Sequence, residues 1–186
     1  MKTYAIVILY LFASLCVAQT PAHCQLSADS ILKAWREKEE KAVGKPFETF
    51  RITQADDAFT NESLKGKVVF INFWFEACKP CIAEFDGLNT LYTDLQSNKN
   101  FTFVSFTFET PEIIAKVRAK HKLQFPIYSI SEQESRRLNL NSGFPTSIIL
   151  DREGIIQYFK TGGSSDKSEA TQMVLEKFYP KIKALL

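Results

Sequence analysis

The sequence Cys78-Lys79-Pro80-Cys81 stands between two runs of opposite periodicity, and few folds accommodate that arrangement. Before it, Val68 to Phe75 is an unbroken series of β-branched and aromatic residues, the composition of a buried strand. After it, Phe85, Leu88, Leu91, Tyr92 and Leu95 recur at helical spacing. Strand, cysteine pair and helix in direct succession predict an α/β unit with Cys78 in the turn at the helix N-terminus. Unpaired backbone N–H groups and the positive end of the helix dipole favour a thiolate over a thiol there, so Cys78 is the expected reactive sulfur. Pro80 fits the same placement, because the first helical turn makes no use of its missing N–H.

Two other uses of the pair are weaker. A zinc knuckle requires two more Cys or His ligands, and the rest of the chain offers only Cys16, Cys24, His23 and His121, with no second paired motif. A purely structural disulfide closing so short a loop removes little entropy from the unfolded chain. Redox chemistry is the expectation, and it requires no metal, nucleotide or flavin.

At 186 residues, with 45% apolar and 24% charged side chains, the chain has room for one domain with a sizeable core. A net charge of +2 and the lack of a long basic tract argue against a nucleic-acid partner. Lys2 precedes an apolar stretch from Tyr4 to about Ala18, closed by the small residues Cys16-Val17-Ala18, so residues 1–18 read as a cleaved secretory signal. An uncleaved membrane anchor and lipoprotein processing at Cys16 are the alternatives. Export places the chain where disulfides persist, in the periplasm or cell envelope. Cys24 is then the odd cysteine, in a polar segment where a bystander thiol is the simplest reading.

Ala28-Asp29-Ser30 is a helix-start signal, and the charged segment to Gly44 reads as a weakly amphipathic helix at most. Residues 19–45 are expected to be an N-terminal extension and residues 46–186 the domain. Phe47 to Thr53 reads as a short strand, and Gln54 to Gly66 as a polar, turn-rich loop in which Asp56 and Asp57 are solvated. Phe101 to Phe108 reads as a second buried strand, and Pro111 to His121 as a helix with Ile113, Ile114 and Val117 on one face. Strand–helix–strand–helix succession implies parallel pairing with right-handed crossovers. Ile127 to Ile130 is a short strand, Glu132 to Leu140 a helical or turn segment, and Ser147 to Leu150 with Ile155 to Phe159 an antiparallel hairpin turning at Asp151–Gly154. The last element is helical, with Pro180 expected to kink or split it near Tyr179.

Taken together, the N-terminal signal, strand–CxxC–helix, Phe144-Pro145-Thr146 before a hairpin, and a closing helix resemble the thioredoxin-fold oxidoreductases of the TlpA/ResA-like type. The resemblance runs over about residues 43 to 180: Gly44-Lys45-Pro46 with Phe50, Leu64-Lys65-Gly66-Lys67, Asn72-Phe73-Trp74 with the cysteine pair, then Ile149, Asp151 and Gly154 after the Pro-Thr. It implies an α/β thioredoxin-like fold: a central mixed sheet with a parallel βαβ core, a C-terminal antiparallel hairpin and helices on both faces. It also implies exchange with disulfide-containing protein substrates, in the direction of reduction, fed by a membrane thiol electron donor. Cys78 would attack, Cys81 would resolve, and a cis Pro145 would offer the Phe144 backbone to substrate, with Trp74 also at the substrate-binding face.

Cytosolic thioredoxins carry a buried aspartate at the position of Asn72, and an amide cannot take the Cys81 proton. Glu84, one turn after Cys81, matches the family's C-x-x-C-x-x-E acid and is the expected substitute, against its plain reading as an acid early in a helix. Ala77 stands where a tryptophan is frequent, which unsettles any borrowed docking surface. The rivals are a peroxiredoxin-like thiol peroxidase, whose threonine before the cysteine is missing among Phe75, Glu76 and Ala77, and a non-enzymatic module, either an adaptor or a copper carrier using Cys78, Cys81 and His121.

Overall fold

A computed structural model describes residues 28–54 and 57–186. The signal-peptide reading and Cys16, His23 and Cys24 lie outside the described residues, as does Asp56. By contacts the chain divides into two units, residues 1–32 and 33–186; the second holds the fold below.

The elements run α1 (Ala28–Ala42), β1 (Arg51–Gln54), β2 (Asp57–Thr60), β3 (Val68–Trp74), α2 (Lys79–Leu95), β4 (Phe101–Thr107), α3 (Pro111–His121), β5 (Ile127–Ser129), α4 (Glu132–Leu138), β6 (Thr146–Leu150), β7 (Ile156–Thr161), α5 (Lys167–Met173) and α6 (Tyr179–Leu185). Strands β3 to β7 form one sheet in the order β5-β4-β3-β6-β7. The first three are parallel and β6 and β7 antiparallel, so the sheet is mixed, as expected. All seven residues of β3 are buried, which is why its sequence alternates no polar side chains apart from Asn72.

Two cores lie on opposite faces of that sheet. Val68, Phe70 and Trp74 of β3 join α2, α3 and the C-terminal helices on one face. Val69, Ile71 and Phe73 join Phe47, Phe50, Leu138 of α4 and Ala42 of α1 on the other. Gly87 lets α2 and α5 meet closely: a Cβ there would sit 2.9 Å from Val174 Cβ and 3.2 Å from Thr171 Cα. Pro180 does split the last helix. Residues Val174–Phe178 form a π-turn and α6 restarts at Tyr179, which accommodates a residue with no N–H to give.

The structure differs from the sequence reading at two places. Strand β2 lies inside the stretch read as loop, paired antiparallel with β1. Phe59 holds it, stacked on Tyr128 at 4.6 Å and tilted on Phe50 at 5.5 Å; one aromatic on an otherwise polar strand gives no alternation to detect. The second difference concerns residues 33–45, read as extension. Residues from Lys33 on belong to the main unit, and the chain after α1 pairs with the start of β7 through Gly44 N–H to Ile156 O (2.8 Å) and Ile156 N–H to Lys45 O (2.9 Å).

Candidate active site

Cys78 caps α2, and its Sγ accepts a hydrogen bond from the Cys81 N–H at 3.2 Å. Pro80 occupies the first turn, as its sequence position implies. The two cysteines are joined as a disulfide with Cα atoms 5.3 Å apart. Of the two, Cys78 is the more accessible, 5% against 1%. The segment leading into the pair is pinned by Glu109, whose carboxylate accepts from the Glu76 N–H at 2.7 Å, and by the Lys116–Glu76 ion pair at 3.0 Å.

The Phe144–Pro145 peptide bond is cis. Gly143 O, just before it, is tied by Thr146 Oγ1 at 2.7 Å and Asn139 Nδ2 at 3.0 Å, while Pro145 O accepts from the Gly162 N–H at 2.9 Å. This brings the end of β7 against the proline loop. Gly163 then lies so close that a Cβ on it would meet Glu84 Oε1 at 2.9 Å and Pro145 Cγ at 3.3 Å. The cis-proline, the glycine and Glu84 therefore form one packed group.

Glu84 is 2% exposed, and its Oε2 has no partner among the described residues. Burial alone pushes its pKa up to about 8, because the low-dielectric surroundings penalise the charged carboxylate. Lying one turn after Cys81 on the same helix, it shares a face with that sulfur. Asn72, at the thioredoxin aspartate position, is also buried; its amide donates to Ser147 Oγ at 3.2 Å and its Oδ1 is unpartnered.

Trp74, expected at the substrate face, is fully buried, with Nε1 donating to Ser105 Oγ at 2.9 Å and its ring edge-on to Phe85 at 5.4 Å. It supports the floor of the site from inside the core. The half-exposed aromatics next to the pair are others: Phe75, Phe108 and Phe144 meet one another with centroids 5.3 to 5.6 Å apart. Phe75 follows β3 where the sequence reading saw only strand, and Phe108 follows β4; their position at the strand ends was the available signal. His121 packs against Phe85 at 5.5 Å, where burial first and the Lys120 and Lys167 charges next lower its pKa. Among the described residues no three His, Cys, Asp or Glu side chains cluster as a metal site.

A family profile described as Redoxin matches residues 42–174. The thiol-disulfide oxidoreductase ResA of Bacillus thuringiensis subsp. konkukian is 29% identical over 163 residues, covering 86% of this chain and 90% of its own. The thioredoxin-like protein YneN of Bacillus subtilis is 30% identical over 118 residues, 62% of this chain and 68% of its own. Among solved structures, a thiol:disulfide interchange protein of the thioredoxin family from Chlorobium tepidum superposes with a TM-score of 0.59 at 23% identity, over 77% of this chain and 97% of that one. A thiol-disulfide oxidoreductase from Bacteroides fragilis gives 0.60 at 20% identity, over 76% and 100%. These neighbours share the thioredoxin-like fold expected from the sequence.

Proposed function

The chain belongs to the redoxin family and is a thiol–disulfide oxidoreductase, and on that premise we propose that it reduces disulfides of protein substrates outside the cytoplasm through Cys78 and Cys81. The observation that carries the assignment of roles is the cap: Cys78 Sγ sits at the N-terminus of α2, receiving an N–H and the dipole, while Cys81 is shielded behind it.

In the reduced protein the Cys78 thiolate attacks one sulfur of the substrate disulfide, and the other sulfur leaves as a thiolate that takes a proton from solvent. Cys81 then passes its proton to Glu84 in its carboxylate form, attacks Cys78 Sγ, and releases the second substrate thiolate, which takes a proton from Glu84 or solvent. Two electrons pass to the substrate, and the pair closes as the Cys78–Cys81 disulfide. A carboxyl that burial lifts to about 8 holds a proton far more firmly than an ordinary acid, which suits its carboxylate to take one from a thiol. The cis-proline loop offers the Phe144 backbone to an extended substrate segment. The apolar run at residues 4–18 supports export, and a membrane thiol donor would recharge the pair.

Insulin-type disulfide reduction, run beside a peroxide-consumption assay, tests this reading. Catalysed reduction that disappears in Cys78→Ser is the expected result. Peroxide turnover without disulfide reduction, or reduction that survives Cys78→Ser, would overturn it.

A further inference from the structure

The face of α1 that packs on the domain is made of Trp35, Lys38, Glu39 and Ala42, at the i, i+3, i+4, i+7 spacing of one helix stripe, and only these four residues between 33 and 42 are buried or half-buried. Two of the four are charged, an unusual choice for a packing face. Each of the first three grips backbone belonging to the redox site. Lys38 Nζ donates to Leu140 O at 3.1 Å and Asn141 O at 3.0 Å, the two residues of left-handed conformation (φ 56° and 52°) that open the loop to Pro145. Glu39 Oε1 accepts from the Thr161 N–H at 2.8 Å and from Lys160 Nζ at 3.1 Å. Trp35 covers Gly162, whose φ of +75° suits glycine and whose Cβ, if present, would lie 3.1 Å from the indole.

We propose that Trp35, Lys38 and Glu39 are positioning residues for thiol–disulfide exchange, clamping Leu140–Pro145 and Lys160–Gly163 shut over Glu84. The proposal rests on the functional reading above and extends it to a helix that touches neither cysteine in sequence nor motif. The geometry has a direct consequence. Gly163 is exposed to solvent on its outer side and lies against the Glu84 carboxyl on its inner side, so displacing that backbone segment would open a path from solvent to the carboxyl. Its anchors are the Gly162–Pro145 hydrogen bond and the α1 contacts.

The groups around Glu84 make its titration a clean reporter of that closure. On α2 the titratable neighbour is Cys81, one turn earlier, which is held in the disulfide of the oxidised protein. The proline loop and the β7 exit contribute Pro145 and Gly163, which carry no charge. From α5 comes Lys167, which is paired with Asp86 of α2 at 2.6 Å. Burial is the one cause of the raised value, and neither Lys38 nor Glu39 contributes through its charge, so a change on mutating them reports opening and not a lost Coulomb interaction.

The experiment follows the Glu84 carboxyl by ¹³C NMR titration in oxidised full-length protein, with the pH profile of insulin reduction in parallel. In Trp35→Ala and Glu39→Gln we expect the midpoint to fall from about 8 towards the ordinary carboxylate range, by about one pH unit or more, a tenfold change in the ionised ratio. The reduction profile should move the same way. Trp35→Phe, which keeps a ring over Gly162, should restore the wild-type midpoint. Lys38→Met removes one tether and leaves the tryptophan packing, so it supplies the answer where Trp35→Ala unfolds. Folded variants that melt earlier but titrate and react as wild type would reduce α1 to a stability element and overturn the proposal. A wild-type protein inactive on disulfides would remove the functional reading instead, and the titration would still decide the clamp.

Discussion

Replacing Glu84 with Gln should make the oxidised protein more stable than wild type at alkaline pH and leave it nearly equal at acid pH. The sign follows from proton counts. Between the ordinary value of 4.5 and about 8, folded Glu84 keeps a proton that the unfolded chain has released, so stability is fully present below 4.5 and is lost as pH rises towards 8. With about 1.36 kcal/mol for each pKa unit, the loss is on the order of 5 kcal/mol if the enclosure stays shut. Local opening of the Gly163 segment would hydrate the carboxylate and cap that figure, so we expect about 2–4 kcal/mol. For a chain of this size that is about 5–15 °C in melting temperature. Gln carries no charge at any pH, and its difference from wild type should therefore grow along the window while all other titrations cancel. Circular-dichroism melts of both proteins at about pH 4.5, 6, 7 and 8.5 measure this. A difference that stays flat across the series would mean that Glu84 titrates as an ordinary surface acid, and the buried-carboxyl argument would fail with it.

Alkylation of the reduced protein at mildly acidic pH should label Cys78 before Cys81, since only Cys78 caps α2; mass mapping that found Cys81 modified first would reverse the roles. A Cys81→Ala variant should trap mixed disulfides with substrate, visible on non-reducing gels, because the resolving thiol is gone while the attacking one is intact. Gly87→Ala should destabilise by about 1–3 kcal/mol, as its methyl would have to displace Val174 or the α5 backbone; a denaturant melt within error of wild type would show that the α2–α5 contact is looser than described.

What the sequence made legible were features encoded within a few residues. The run Val68 to Trp74, the capped CxxC, the Asp151–Gly154 hairpin and the break at Pro180 each carry their own local chemistry, and the structure has each of them. Roles that depend on distant partners were not legible. Trp74 belongs to the motif, but only the register that sets Ser105 near it and the approach of Phe85 make it a buried support. The α1 stripe escaped notice because Lys38 and Glu39 break the apolar pattern that marks a packed helix, although their charges are spent on backbone groups more than a hundred residues away. Nothing local to Gly162-Gly163 tells that one of them lies against a tryptophan and the other against a carboxyl.

The distribution of unsatisfied polar atoms connects stability to chemistry in this fold. Buried side-chain atoms without a partner among the described residues are Asn72 Oδ1, Glu84 Oε2, Ser142 Oγ, Thr161 Oγ1 and Ser135 Oγ. All but the last lie on segments that converge on Pro145: β3 beside β6, the turn after Cys81, the proline loop and the end of β7. Each such group costs about 1–3 kcal/mol, and an apolar residue of similar shape would avoid the loss. Among those four only Glu84 can change charge in the physiological range, since Asn72 is an amide and the others are hydroxyls. Glu84 is also the only buried carboxyl among the described residues. The interior of the site is thus polar at several points and ionisable, apart from the cysteines, at one. A pH profile for the resolving step should accordingly show a single carboxyl ionisation, and Glu84→Gln should abolish that step of the profile while leaving the attack by Cys78, which depends on the helix terminus, almost unchanged.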